Sequence, residues 1–281
     1  MDEGEPQPGF GGILTRLLRH RRTDAGRLSS ASGIPEAELR TVVRGAPPSP
    51  GQLDALAAAL GLHTEDLHVM AGVPVPDAHS RWDPAGRART VSLLKVTMAL
   101  PPDQRDRVHR LVGELPREPV TGPSEPVRVS YPRRGGSGAL LVNLLCGNRL
   151  GHSVPSGAMA LALLTRGRVY PAASTVNGIG RGRVPLTPEL VAGFAVTLGM
   201  DPGDLAAITG VELPEPSQPT DPLTQEMARL LWNCRHLTAA QARQAYDTAT
   251  SLPVAVPEDA PEEDWNRVHR RYGTWWGAPR G

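Results

Sequence analysis

The sequence is poor in several residue types, and each shortage excludes a class of protein. Its two cysteines, Cys146 and Cys234, are too few for a disulfide framework or a zinc site, and each lies in an apolar stretch typical of a buried side chain. Aromatic residues make up 4% of the chain, so a core has to be built from Leu, Ala and Val. No run approaches the roughly 18 apolar residues of a membrane-spanning helix, which predicts no membrane partner.

Catalytic patterns are missing as well. The segment SVPSG at 153–157 lacks the spacing of a G-x-S-x-G nucleophile turn, and the acidic run at 258–265 is typical of a solvated surface. His109 and His236 have no second ligand at metal-binding spacing. We therefore predict that the protein is not an enzyme and holds neither a cofactor nor a metal.

What the chain does contain is an internal repeat. The segment LRTVVRG at 39–45 recurs as VNGIGRG at 176–182. The longer segment LDALAAALGLHTEDLHVMAGV at 53–73 recurs, with one extra residue, as LVAGFAVTLGMDPGDLAAITGV at 190–211. The chain therefore carries two copies of one unit, which we call the first and second copies.

The repeat extends to both ends of the unit. The segment at 93–115 recurs at 230–252, and the offset of 137 is the same as that between 39–45 and 176–182. The opening segments, GILTRLLRHRR at 12–22 and GALLVNLLCGNR at 138–149, are offset by only 127. The second copy therefore holds about ten extra residues, which we expect in 150–168.

Apolar residues recur at helical spacing throughout both copies, and no segment alternates as a strand does. We predict an all-α fold in which each copy forms five short helices and then a helical hairpin. Proline, glycine and serine without apolar periodicity mark a linker between the copies. The predicted divisions are 10–73, a hairpin at 84–115, a linker at 116–136, 137–213, a second hairpin at 222–252 and an aromatic tail at 253–281.

The unit SGIPEAELRTVVRG, followed by a proline-initiated helix ending in LGL and then EDLHVMAG, resembles the Cro/CI-type (XRE) helix-turn-helix family. STVNGIGRG and AALGLHTEDL are similar to the fragments that close the recognition helix in that family and form the two helices after it. The resemblance covers 10–73 and 138–211. It implies two tandem five-helix helix-turn-helix modules, each followed by a helical hairpin.

The segment ASTVNGIGRG at 173–182 has a second interpretation, as a glycine-rich loop that cradles a phosphate. Gly178 and Gly180 correspond to Thr41 and Val43 in the first copy, inside a predicted helix. A phosphate loop would also require a preceding strand, and none is predicted. The segment is therefore predicted to be a recognition helix.

The resemblance implies that the exposed face of this helix contacts the major groove, where short polar side chains and arginine meet base edges. The predicted base contacts in the second copy are Ala173, Ser174, Thr175, Asn177 and Gly178. The predicted phosphate contacts are Arg149, Arg166, Arg168, Arg181 and Arg183. The first copy is predicted to be auxiliary, through Arg16, Arg19, Arg22, Arg40 and Arg44, because its helix also carries Glu36 and Glu38.

Charge distribution favours the second copy as the DNA-binding one. Between Glu125 and Glu189 the chain has no acidic residue and eight arginines, although its overall formal charge is only +1. We predict a cytoplasmic, nucleoid-associated transcriptional regulator that binds double-stranded DNA. The alternative is a scaffold of the same fold that docks another protein, and either the hairpins or the Trp275/Trp276 tail offers a surface for a homodimer.

Overall fold

The computed structural model describes residues 9–76, 83–118, 131–132, 135–214 and 221–252. These residues form helices and connections without any strand, which confirms the predicted all-α fold for them. The predicted tail, including Trp275 and Trp276, and most of the predicted linker lie outside the described residues. Over the described ranges, no helix has both the length and the apolar character needed to cross a bilayer.

The helices follow the order of the repeat. The first copy contains α1 (Phe10–His20), α2 (Ala25–Ser32), α3 (Glu36–Val43), α4 (Pro50–Leu60), α5 (Thr64–Ala71), α6 (Pro84–Ala88), α7 (Thr90–Met98) and α8 (Pro102–Glu114). The second contains α9 (Gly136–Val142), which continues as a π turn (Asn143–Gly147), then α10 (Val154–Leu164), α11 (Ala173–Gly180), α12 (Pro188–Leu198), α13 (Pro202–Thr209), α14 (Pro222–Asn233), a 3-10 turn (Cys234–His236) and α15 (Ala239–Ser251).

Equivalent helices begin and end by the same chemistry in the two copies. The hydroxyls of Ser49 and Thr187 accept hydrogen bonds from backbone amides of the first turn of α4 and α12, and a proline follows each. Gly61 and Gly199 end these helices with φ of 60° and 70°, in the left-handed region that glycine enters without strain. The repeat in sequence is therefore a repeat in structure at these helices.

The extra residues of the second copy are divided among three places. The helix α10 has 11 residues and its counterpart α2 has 8. The connection before α10, 148–153, is two residues longer than the one before α2. The connection between α10 and α11, 165–172, is five residues longer than 33–35 in the first copy. Half of the insertion therefore lies directly before α11.

The two copies share a core. Among the described helices, α13 of the second copy packs most extensively on α1 of the first, and α5 of the first copy contacts the π turn of the second. Buried side chains on the paired helices include Leu14 and Leu17 of α1 and Leu205 and Ile208 of α13. The segments predicted as 10–73 and 137–213 therefore bury apolar surface against each other.

The two predicted hairpins also pack together. Helices α7 and α8 contact α14 and α15, α6 packs on α15, and α14 packs on α12. At Gly86 a Cβ would collide with the backbone carbonyl of Leu237, so α6 approaches the turn before α15 as closely as a glycine permits. The hairpin faces that the sequence offered to a homodimer thus contact each other within one chain.

A pair of equivalent glycines brings the first helix of each copy onto the third. A Cβ at Gly11 would lie 2.5 Å from the carbonyl oxygen of Val42, and a Cβ at Gly138 would lie 2.5 Å from that of Ile179. Both distances are far below van der Waals contact, and the obstructing atom in each case is a backbone oxygen, which a side-chain rotation cannot move away. Helices α9 and α11 can therefore take this spacing only with glycine at 138.

Replacing Gly138 with alanine is expected to lower the free energy of unfolding by about 1–3 kcal/mol, the usual cost of overpacking a core. The matched control is Gly113→Ala in α8, where a Cβ meets nothing within 4 Å. Since alanine favours a helix, this control should be neutral or stabilising by up to about 1 kcal/mol. Urea denaturation of both variants measures the difference, and equal stabilities would contradict the close approach.

Candidate nucleic-acid interface

Helix α11 is held by one apolar edge. Val176 and Ile179, three residues apart, are fully buried, and α11 packs on α9 and α10. The N-cap residue of the helix, Ala172, provides no side-chain hydrogen bond, and Arg181 is its C-cap residue. After it, Gly182 turns the chain with φ of 69°. This edge fixes which side of α11 is available to a ligand.

The predicted base-contacting residues differ in accessibility. Ser174 is exposed, whereas Ala173, Thr175, Asn177 and Gly178 are half-buried. Gly178 is covered by a neighbour, since a Cβ there would lie 2.7 Å from Cγ2 of Val184. The structure therefore brings the five residues onto one short helix and exposes its N-terminal half most.

Asn177 has a partner that sequence analysis missed. The hydroxyl of Tyr131 donates a hydrogen bond of 2.9 Å to Oδ1 of Asn177. Tyr131 belongs to the predicted linker, yet it is 8% exposed. The available signal was an aromatic residue within a stretch otherwise rich in Pro, Gly, Ser and Arg.

Three of the predicted phosphate-binding arginines, Arg168, Arg181 and Arg183, are exposed and lie just before or after α11. Arg166 is half exposed and makes an ion pair of 2.6 Å with Asp221. The connection that carries Arg166 and Arg168 also presents Tyr170, which is 56% exposed. The basic side chains therefore flank α11 at both ends.

The prediction for Arg149 is wrong, because its guanidinium is buried. The side chain is 1% exposed and binds both carboxylate oxygens of Asp66, with distances of 2.8 and 2.7 Å. It also donates to the backbone carbonyls of Leu144 and Leu198. The charge of Arg149 thus serves the contact between the copies and does not reach a phosphate.

A second buried pair adjoins the first. Arg235 binds Glu65 at 3.1 Å and also donates to Oδ1 of Asn148, whose amide group donates to Asp66. We call Glu65, Asp66, Arg149 and Arg235 the inter-copy ion cluster. The guanidinium of Arg235 lies 3.9 Å from the centre of the Trp232 ring, which further stabilises its charge.

The cluster controls the ionisation of Asp66. Burial raises the pKa of Asp66, but the charge of Arg149 and its hydrogen bonds outweigh that effect, so the pKa lies below its ordinary value. The pKa of Arg235 falls to about 10, chiefly through burial, and Glu65 opposes the fall. Asp66 and Arg235 are therefore both charged at neutral pH.

A second arginine–aspartate pair, similar to that of Arg149 and Asp66, joins the two copies elsewhere in their interface. Arg21 binds both carboxylate oxygens of Asp204, at 2.9 and 2.5 Å, and Asp204 is the repeat counterpart of Asp66. His20 and Asp201 lie beside this pair, and their ligand atoms come within 4.8 Å of one another and of Asp204. Both carboxylate oxygens of Asp204 are already bound by Arg21, so the closeness of His20, Asp201 and Asp204 is explained by this ion pair and does not indicate a metal site.

The predicted auxiliary arginines of the first copy have mixed positions. Arg16 is half-buried and donates to the carbonyls of Ala207 and Ile208 at the end of α13, so it stabilises the inter-copy contact, and its contact with DNA stays a prediction. Arg40 pairs with Glu36 on the exposed surface of α3 at 2.7 Å. The remaining three, Arg19, Arg22 and Arg44, are exposed.

Both cysteines are buried, as predicted. Cys146 and Cys234 are 2% and 1% exposed, and burial raises the pKa of each thiol to about 12. The thiols therefore stay protonated at neutral pH, where they pack as small apolar groups.

Comparison of the chain with protein-family models, with curated proteins and with solved structures finds no match.

Proposed function

We propose that the chain is a sequence-specific regulator of transcription that has two tandem Cro/CI-like helix-turn-helix modules and binds double-stranded DNA mainly with the second. In this proposal α2 and α3 form the helix-turn-helix of the first module, and α10 and α11 form that of the second. Helix α11 enters the major groove. The support comes from the sequence resemblance together with the electrostatic contrast between α11 and α3.

That contrast carries the proposal. Helix α11 has no charged residue, and exposed Arg181 and Arg183 follow it directly. Helix α3 presents Glu36 and Glu38 in its first turn, next to the position that a phosphate or base edge would occupy. A polyanion is attracted to the surface around α11 and repelled by the start of α3.

The glutamates of α3 also support the second candidate function, a protein-docking scaffold. Glu38 accepts a hydrogen bond from Gln52, and Glu36 pairs with Arg40, so both side chains are held on the surface. Such a face suits a basic protein partner. Salt separates the two functions, because release of counterions makes DNA affinity fall steeply with salt concentration.

The test begins with selection of bound duplexes by the full-length chain, followed by fluorescence anisotropy at several salt concentrations. Ser174→Ala and Asn177→Ala are expected to lose about 1–3 kcal/mol per base contact on the selected site alone. Arg181→Gln and Arg183→Gln should weaken binding to every duplex and reduce the salt slope by about one per lost contact.

Arg44→Gln is the matched control, because Arg44 occupies the position in the first copy that Arg181 occupies in the second. It should leave the salt slope nearly unchanged. Affinity that does not depend on salt would reject the DNA-binding proposal and favour the scaffold.

A further inference from the structure

Tyr131 is anchored to the second copy by its backbone. Its amide donates to Oδ1 of Asn143 at 3.1 Å, and its carbonyl accepts from Nδ2 of the same side chain at 2.8 Å. Asn143 is buried in the π turn that follows α9. One asparagine thus fixes both backbone hydrogen-bonding groups of the tyrosine, which determines where its ring can lie.

The ring lies on the C-terminal half of α11. A Cβ at Gly180 would meet Cδ1 and Cε1 of Tyr131 at 2.7 Å, so glycine at this position leaves the space that the ring fills. The hydroxyl then reaches Asn177, one turn earlier on the same helix, at 2.9 Å. Burial raises the pKa of Tyr131, so the hydroxyl stays protonated and donates.

The first copy lacks every part of this arrangement. At the repeat offsets, Tyr131 corresponds to Gly4 and Asn177 to Arg40, while Gly180 corresponds to Val43. Asn143 corresponds to Arg16, which binds carbonyls of α13 instead. The contact is therefore a property of the second copy, the one whose third helix carries no acidic residue.

We propose that Tyr131 is a positioning residue that fixes the side-chain amide of Asn177 and so sets the base preference of α11. The hydroxyl occupies one acceptor position of Oδ1. Within the described part of the chain, Nδ2 of Asn177 makes no hydrogen bond, so this group remains available as a donor. Its partner on DNA is an acceptor at a purine edge, such as N7. The inference rests on the proposed function.

The mechanism is one of preorganisation. A free asparagine side chain samples several rotamers and two amide orientations, and a base contact has to select one of them. The bond from Tyr131 makes that selection before DNA arrives, so the favoured base gains affinity relative to its competitors. Loss of the hydroxyl should reduce discrimination at one base pair and leave the phosphate contacts intact.

The test uses the full chain and a set of duplexes that vary the base pair at which Asn177→Ala loses discrimination. Tyr131→Phe keeps the ring on Gly180 and removes only the hydroxyl. It should reduce discrimination at that base pair on the order of 10-fold, with an unchanged melting temperature and salt slope. The double variant with Asn177→Ala should discriminate no worse than Asn177→Ala alone. Tyr246→Phe, on α15, is the matched control and should change nothing.

The outcomes separate the two proposals. If Asn177→Ala loses discrimination and Tyr131→Phe does not, the positioning role is rejected while DNA binding stands. Additive losses in the double variant would also reject it, because the hydroxyl would then act independently of Asn177. If the wild-type chain shows no salt-dependent DNA binding, the proposed function fails and this inference fails with it.

Discussion

Replacing Arg149 with methionine is expected to lower the free energy of unfolding by about 3–5 kcal/mol, the cost of leaving one partner of a buried ion pair without the other. Asp66 would keep its hydrogen bond from Asn148 but lose both contacts to the guanidinium. Chemical denaturation at pH 7 measures the loss. Arg183→Met, at an exposed position, is the control and should change stability by less than about 0.5 kcal/mol.

The pH dependence of that loss identifies its cause. In the wild type the pKa of Asp66 lies below its ordinary value of 3.8, so the pair stabilises the fold above that value and the stabilisation is lost as the pH falls through the lowered pKa. In Arg149→Met the buried carboxyl is unpaired and gains stability on protonation. The difference in the free energy of unfolding between the wild type and Arg149→Met should therefore become smaller as the pH is lowered through about 4.

A paired substitution distinguishes the charge from the packing. Asp66→Leu combined with Arg149→Met removes both charges and should be more stable than Arg149→Met alone, since apolar replacements of buried pairs are often tolerated. If Arg149→Met is as stable as Arg183→Met at neutral pH, Asp66 is solvated and the buried cluster does not exist.

Local chemistry made the helices predictable from the sequence. Ser49 and Thr187, each followed by proline, predict the starts of α4 and α12, and both hydroxyls cap these helices. The spacing of Val176 and Ile179 predicts the buried edge of α11. These features depend on residues three or four positions apart, so a single sequence contains all of the information.

Long-range partners were not predictable. Periodicity shows that α1 has an apolar face, but not that α13, on the other copy, covers it. The acid-free segment around Arg149 predicts a DNA contact, whereas the carboxylate that Arg149 binds, Asp66, lies 83 positions earlier in the chain. Charge counted along a sequence cannot show that a distant residue neutralises it. The contact of Tyr131 with Asn177 was not predictable either, because these residues are 46 positions apart and only the fold brings them together.

Separating the two copies is expected to abolish cooperative unfolding of both. Fragments 1–118 and 131–281, each produced alone, would expose the apolar faces by which α1 and α13 pack, and the faces between α7 and α15. The charges of the inter-copy ion cluster would also part, because Glu65 and Asp66 lie in one fragment and Arg149 and Arg235 in the other. Neither fragment then keeps a complete core.

Mixing the two fragments should restore cooperative unfolding. Equimolar fragments are expected to form a 1:1 complex that recovers the melting transition, measured by circular dichroism and by sedimentation. The control is the full chain cut by a protease at a site introduced within 119–130, which should melt as the uncut chain does while the pieces remain together. A fragment that alone melts cooperatively near the temperature of the whole chain would show that its copy folds independently.

This coupling determines how the proposed DNA-binding roles have to be tested. If α1 is part of the support for α13, and Asp66 part of the support for the turn that carries Arg149, then an isolated second copy that fails to bind DNA shows only that it has not folded. Point substitutions on exposed residues of the intact chain, such as Ser174 and Arg183, leave this shared core untouched. A difference between Arg181→Gln and Arg44→Gln in the whole chain is therefore direct evidence for which copy contacts DNA, and an equal effect of the two would mean that both copies do.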